Sequence, residues 1–183
     1  MKAILTFALA SAVLMLTACR SDPIQFHTLT PAQPAGHTNG VFAEIQIESV
    51  SVPPQVDRPQ IVIRQGKSGM AILETEWWGA SLVDELRSAL AEQLSVAKPT
   101  DKSSLRVDVQ RFDSIPGQYA LIEAKWRLRL HGSDLSLVCR STLKTPSGAS
   151  IQELVIAQQN NIKRLADLIL RAAGGGSNGC PSA

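Results

Sequence analysis

Cys19 stands out among the residues able to do chemistry because of what precedes it. Leu16-Thr17-Ala18-Cys19 follows one basic residue, Lys2, and an uncharged, mostly apolar run from Ala3 to Met15. A short positive flank, an apolar segment of this length and small residues before a cut site describe a secretory signal peptide. Small residues followed at once by cysteine also resemble the bacterial lipobox. There the thiol takes diacylglycerol, the peptide is cleaved before the cysteine, and the new amine is acylated. The apolar run is shorter than the ~20 residues that a membrane span needs. The competing reading is an ordinary signal peptide, or a short membrane anchor, with a chance cysteine. On the lipobox reading residues 1–18 are removed and 19–23 form a lipidated N-terminus and short tether. Residues 24–173 are then one domain and 174–183 a glycine-rich tail.

Lipidation of Cys19 leaves Cys139 and Cys180. An even pair in an oxidising compartment invites a disulfide, which would pin the tail to the domain. The alternative makes Cys139 a small buried hydrophobe and Cys180 a free thiol. The three histidines, His27, His37 and His131, have no metal-ligand spacing, and neither H-x-x-x-H nor C-x-x-C occurs. The run Gly174 to Gly176 is followed by no helix, so it cannot offer helix N–H groups to a phosphate. The expectation is a protein that is not an enzyme and holds no cofactor or metal, apart from the N-acyl and S-diacylglycerol groups on Cys19.

Lys125, Arg127 and Arg129 fall on the polar side of one strand pattern, with Arg111 and Arg140 on its neighbours. A solvated sheet face accounts for them, and so does a docking surface for an acidic partner or lipid headgroups. Trp77 and Trp78 open the first helical pattern. Adjacent positions at a strand end point to opposite faces, so one indole is expected in the core and the other outside, as an interface anchor. Arg58 and Arg64 mark the ends of a proline-bounded strand, Val56 to Arg64.

The elements that position these residues are legible from periodicity. Ile24 to Leu29 reads as a short strand, and Thr30 to Gly40 as a loop. Val41, Ala43, Ile45 and Ile47 alternate with polar partners, and beyond Ser49 the parity switches, suggesting a bulge. Gly66 to Gly69 predicts a tight turn, with Met70 to Trp77 as the returning arm of a hairpin. Leu82, Leu86, Leu90 and Leu94 predict an amphipathic helix capped by a Ser81–Asp84 box. Leu105 to Val109, Ala120 to Leu130 and Leu135 to Leu143 predict an antiparallel meander, turning at Ser114–Gly117 and at Gly132-Ser133-Asp134 beside His131. Ser150 and Glu153 form a second capping box for a long helix through Arg171, and Gly174-Gly175-Gly176 stops it, glycine being the residue that tolerates the left-handed conformation past a helix end. Two apolar helix faces and one apolar sheet face imply an α+β fold. It is a two-layer sandwich, with a mainly antiparallel or mixed sheet of about seven strands and two helices on one face.

Without Lys2 the 18 Lys and Arg fall to 17, against 16 Asp and Glu, a net charge near neutral. That argues against nucleic acid as a partner. The remaining 165 residues suit one domain burying about 70% of its unfolded surface.

Val52-Pro53, Asp57-Arg58-Pro59-Gln60-Ile61-Val62-Ile63-Arg64 and Glu76-Trp77-Trp78 together resemble the PqiC-like ABC-type transport auxiliary lipoproteins. That family has a lipobox, an early aromatic-x-leucine strand, an R-P-Q-I-V-x-R strand and a tryptophan opening the next helix. Phe26-His27-Thr28-Leu29 looks like the early strand, with Phe and His where Tyr-Tyr is common. The glycine-rich, cysteine-containing tail departs from the pattern. The resemblance implies a non-catalytic periplasmic lipoprotein of a mammalian-cell-entry (MCE) type lipid transport system. Its partners would be an MCE-domain protein that bridges the periplasm and the associated ABC and permease components, and a homo-oligomeric ring is one arrangement the resemblance allows. Arg58, Pro59, Gln60, Arg64, Trp77, Trp78, Lys125, Arg127 and Arg129 become the candidate partner-binding residues. Arg20 stands where an aspartate would retain an enteric lipoprotein in the inner membrane, which favours the outer membrane, facing the periplasm. The alternative is a generic envelope lipoprotein, a binding module for cell-wall or outer-membrane assembly.

Overall fold

The structure, a computed structural model, describes residues 22–32, 44–95, 102–130, 136–174 and 179–182. Several expectations lie outside them: the Leu16–Cys19 motif, Arg20, His37, most of the 30–40 loop, Val41 and Ala43, the turn at His131 to Asp134, and Gly175 and Gly176.

Seven strands and two helices follow in the order β1 (Gln25–His27), β2 (Glu44–Ser51), β3 (Gln60–Gln65), β4 (Gly69–Trp78), α1 (Leu82–Leu94), β5 (Lys102–Ile115), β6 (Tyr119–Arg129), β7 (Ser136–Pro146) and α2 (Ile151–Ala173). They make a two-layer α+β sandwich of mixed strands with both helices on one face. The seven strands divide into two sheets, β1-β4-β3 and β2-β5-β6-β7. β5, β6 and β7 form the antiparallel meander, while β2 joins β5 and β1 joins β4 in parallel.

The parity switch in β2 is a register shift between Ile47 and Ser49, which leaves Glu48 as the extra residue. It lets Ile45 and Val50 both face the core. The β3–β4 hairpin turns through Gly66 at φ +59°, and the β5–β6 hairpin through Gly117 at φ +75°. Both conformations suit glycine because it has no Cβ.

Strict alternation along β6 puts Ala120, Ile122, Ala124, Trp126 and Leu128 into the core. The helices cover that face. Two buried amides on α2 reach backbone carbonyls of β5 and β6. Gln158 Nε2 donates to Asp113 O at 3.1 Å, and Asn161 Nδ2 donates to Ala120 O at 3.1 Å. Satisfying these acceptors removes the desolvation cost of burying polar atoms.

Two local expectations are corrected. Ser81 Oγ accepts from Asp84 N–H, yet the Asp84 carboxylate binds the Ser81 hydroxyl rather than its N–H, so the box is half formed. Trp77 and Trp78 close β4 instead of opening α1, because the chain needs Gly79 to Ser81 to turn from strand to helix. Gly174 lies at φ −72°, outside the left-handed region, and its N–H donates to Leu170 O, continuing the helical pattern one step. The Ser150–Glu153 box is complete. Its acceptance of Ser150 Oγ–H and N–H holds the Glu153 carboxyl below its ordinary pKa.

Candidate functional site

The candidate residues fall into two groups carried by different elements. The first gathers where β3 begins beside the end of β4. Trp78 N–H donates to Pro59 O at 2.7 Å, and Gln60 lies in register with Trp77. The two indoles diverge as strand alternation requires. Trp78 is buried and meets Phe112 edge-on at 6.3 Å. Trp77 is half-buried and meets Phe26 edge-on at 6.4 Å, and its Nε1–H donates to Glu74 O. Arg58 is half-buried in the turn before β3, with its Nε enclosed and unbonded among the described residues.

Arg64 leaves this group. Its Nε donates to Asp113 Oδ1 at 2.5 Å, while Arg111 Nη2 donates to Asp113 Oδ2 at 2.5 Å. Asp113 is buried, and both guanidinium groups reach it from more exposed positions. The hydrogen bond to Asp113 pushes the Arg111 pKa further up. Arg111 also approaches Glu123 at 4.0 Å, and Glu123 meets Arg140 at 3.7 Å. A line of alternating charge therefore runs from β3 across β5 and β6 to β7.

The second group lies on the β6 face directed away from the helices. Lys125, Arg127 and Arg129 are exposed, and no ion pair with another described residue holds any of them. Arg106 stands opposite Arg127 in register, and Asp108 opposite Lys125. Arg106 is engaged by Glu48, whose carboxyl it holds below the ordinary range. Ser49, Ser51, Arg106, Lys125, Arg127 and Val138 line a shallow groove of about 290 Å³ there. Val138 is 44% exposed, an apolar spot among the cations.

Cys139 and Cys180 are joined as a disulfide with Cα atoms 5.5 Å apart. The link carries the chain after α2 back to the core face of β7. His27 faces Glu76 across β1 and β4. Among the described residues no group of three or more His, Cys, Asp or Glu side chains is placed to hold a metal ion. No helix among them is long and apolar enough to cross a membrane. The tail spells G-x-S-x-G over Gly175–Gly179. It follows a helix, whereas the nucleophile elbow is a strand-to-helix turn.

Reasoning from pattern alone missed Asp113 and Glu85. Glu85, 7% exposed on α1, accepts from Thr28 Oγ1 at 2.7 Å and from Leu29 N–H at 2.8 Å, so it clasps the segment after β1. Gly79 N–H donates to His27 O at 2.8 Å, and a Cβ on Gly79 would sit 3.2 Å from Glu85 Oε1. The only local signal was an acidic residue beside the α1 cap, which pattern assigns to solvent.

The model of the ABC-type transport auxiliary lipoprotein component family matches residues 27–170. The chain belongs to that family of auxiliary transport lipoproteins. The fold is similar to the crystal structure of an uncharacterized protein, with TM-score 0.64, 18% identity, and 82% of this chain and 99% of that one covered. It is also similar to protein XCC0632 from Xanthomonas campestris, with TM-score 0.60, 22% identity, and 84% and 94% covered. No curated protein matches the chain.

Proposed function

We propose that the protein is the non-catalytic, lipid-anchored subunit of an MCE-type intermembrane lipid transport system. Acylated Cys19 holds it to the outer membrane, facing the periplasm, and a periplasm-spanning MCE partner docks on the domain. Family membership supports the transport association. Leu16-Thr17-Ala18-Cys19, followed by Arg20, supports the anchor and the choice of membrane.

The observation that carries the docking surface is the exposed set Lys125, Arg127 and Arg129 on the helix-free face of β6, without ion-pair partners among the described residues. Exposed cations along one face attract an acidic partner and quicken its encounter.

Crosslinking in cells, followed by purification of the protein, tests this reading. The wild type is expected to capture a membrane-anchored MCE protein, and Lys125→Glu with Arg127→Glu to lose it while folding normally. Undiminished capture by the double variant would sink the docking surface. A wild type that brings down cell-wall or outer-membrane assembly proteins and no MCE protein would favour the generic envelope module.

A further inference from the structure

Ile24 and Phe26 lie two residues apart at the first strand, 46% and 67% exposed. Side chains two apart on extended chain share a face. Phe26 is held edge-on by Trp77 of the neighbouring strand, with which it is in register. The Trp77 N–H is already bonded to Glu74 O, so its ring needs no protein partner for its polar atom. A lone exposed apolar side chain is ordinary, whereas two together beside a half-buried indole form a patch.

What covers this patch follows from its distance to the proposed anchor, and the inference rests on that reading. Seven positions separate Cys19 from Phe26. Fully extended at ~3.6 Å per residue they reach about 25 Å, and any bend brings the strand nearer. The acyl chains on Cys19 would therefore keep Ile24, Phe26 and Trp77 within reach of the lipid surface. Indole rings are enriched at the headgroup boundary, and Phe and Ile side chains beside them bury apolar surface at its acyl edge.

We infer that Ile24, Phe26 and Trp77 form a membrane-contacting foot. The foot sets the domain's orientation on the bilayer. Acyl chains alone would leave the domain's rotation relative to the bilayer unset. A second contact fixes one axis of that rotation.

The test uses the full acylated protein in vesicles of phosphatidylethanolamine and phosphatidylglycerol, with acyl chains brominated near the glycerol end. Trp78 and Trp126 are 4% and 1% exposed, so collisional quenching reads Trp77. Strong quenching of the wild type is expected, lost in Trp77→Phe and weakened in Ile24→Ser with Phe26→Ser. Acylated protein that floats with the vesicles yet shows no Trp77-dependent quenching would overturn the foot and leave the anchor standing. Protein whose intact mass lacks acyl chains and which does not float would overturn both.

Discussion

Arg64 Nε stands 2.5 Å from Asp113 Oδ1, joining β3 of the smaller sheet to β5 of the larger one. Asp113 is 4% exposed at its side chain, while Arg64 and Arg111 retain 38% and 48%. Breaking a fully buried pair from one side costs ~3–5 kcal/mol, and partial exposure of the cations reduces it. Asp113→Ala is therefore expected to lose about 2 kcal/mol, and Arg64→Ala less, because Arg111 still serves the carboxylate. Urea titration of both singles and the double would measure the coupling. Additive losses would refute a shared ion pair.

Arg64 also illustrates what could be read from sequence. The resemblance placed it among the candidate partner-binding residues, and its ion pair with Asp113 was hidden, because local pattern reports which face a side chain takes and not what lies across that face. Its partner comes from a strand far along the chain, in a register set by the bulge between Val109 and Arg111. Elements governed by local periodicity were legible: the alternating β6, the β3–β4 hairpin, and α2 with its Ser150 cap. Glu85, Gln158 and Asn161 were not, since burial of a polar residue depends on which backbone group waits opposite. The division into two sheets was equally hidden, because strand order is a tertiary property.

The Cys139–Cys180 link closes a separation of 41 residues. Loop-closure entropy sets its contribution at about 4 kcal/mol or less. Cys180→Ser is expected to lower stability by roughly 2–4 kcal/mol in urea, and reductant should bring the wild type to the same level. A reductant effect on the Cys180→Ser protein itself would point elsewhere.

Glu85 makes a separate prediction for the segment that follows β1. Glu85→Ala leaves the Leu29 N–H buried without its acceptor, a loss of about 2 kcal/mol. Proteolysis between Asp22 and Thr30 should quicken, with Glu85→Gln restoring part of the protection through its remaining carbonyl oxygen. Equal cleavage in all three proteins would remove Glu85 from this role.

The α2 cap carries a pH dependence of known sign. Because Ser150 depresses the Glu153 pKa in the folded state, the contribution is complete above the unfolded carboxyl value. It disappears as pH falls through the lower folded value. The gap in thermal unfolding between the wild type and Ser150→Ala should therefore be larger at neutral pH than in acid, where the loss of the Glu153 N–H bond to Ser150 Oγ still separates them. A constant gap across that range would show that the carboxylate is not involved.

The two parallel pairings have a consequence for how the chain acquires its shape. β1 finds its partner only in β4, and β2 only in β5, beyond a hairpin and a helix. The earliest strands to emerge thus wait longest for their ladders, and α1 has nothing finished to lie on until β5 arrives. Non-local pairings of this kind slow folding relative to helical bundles. During that interval the unpaired edge of β2 is open to association, so a newly made chain is most vulnerable before β5 closes beside it.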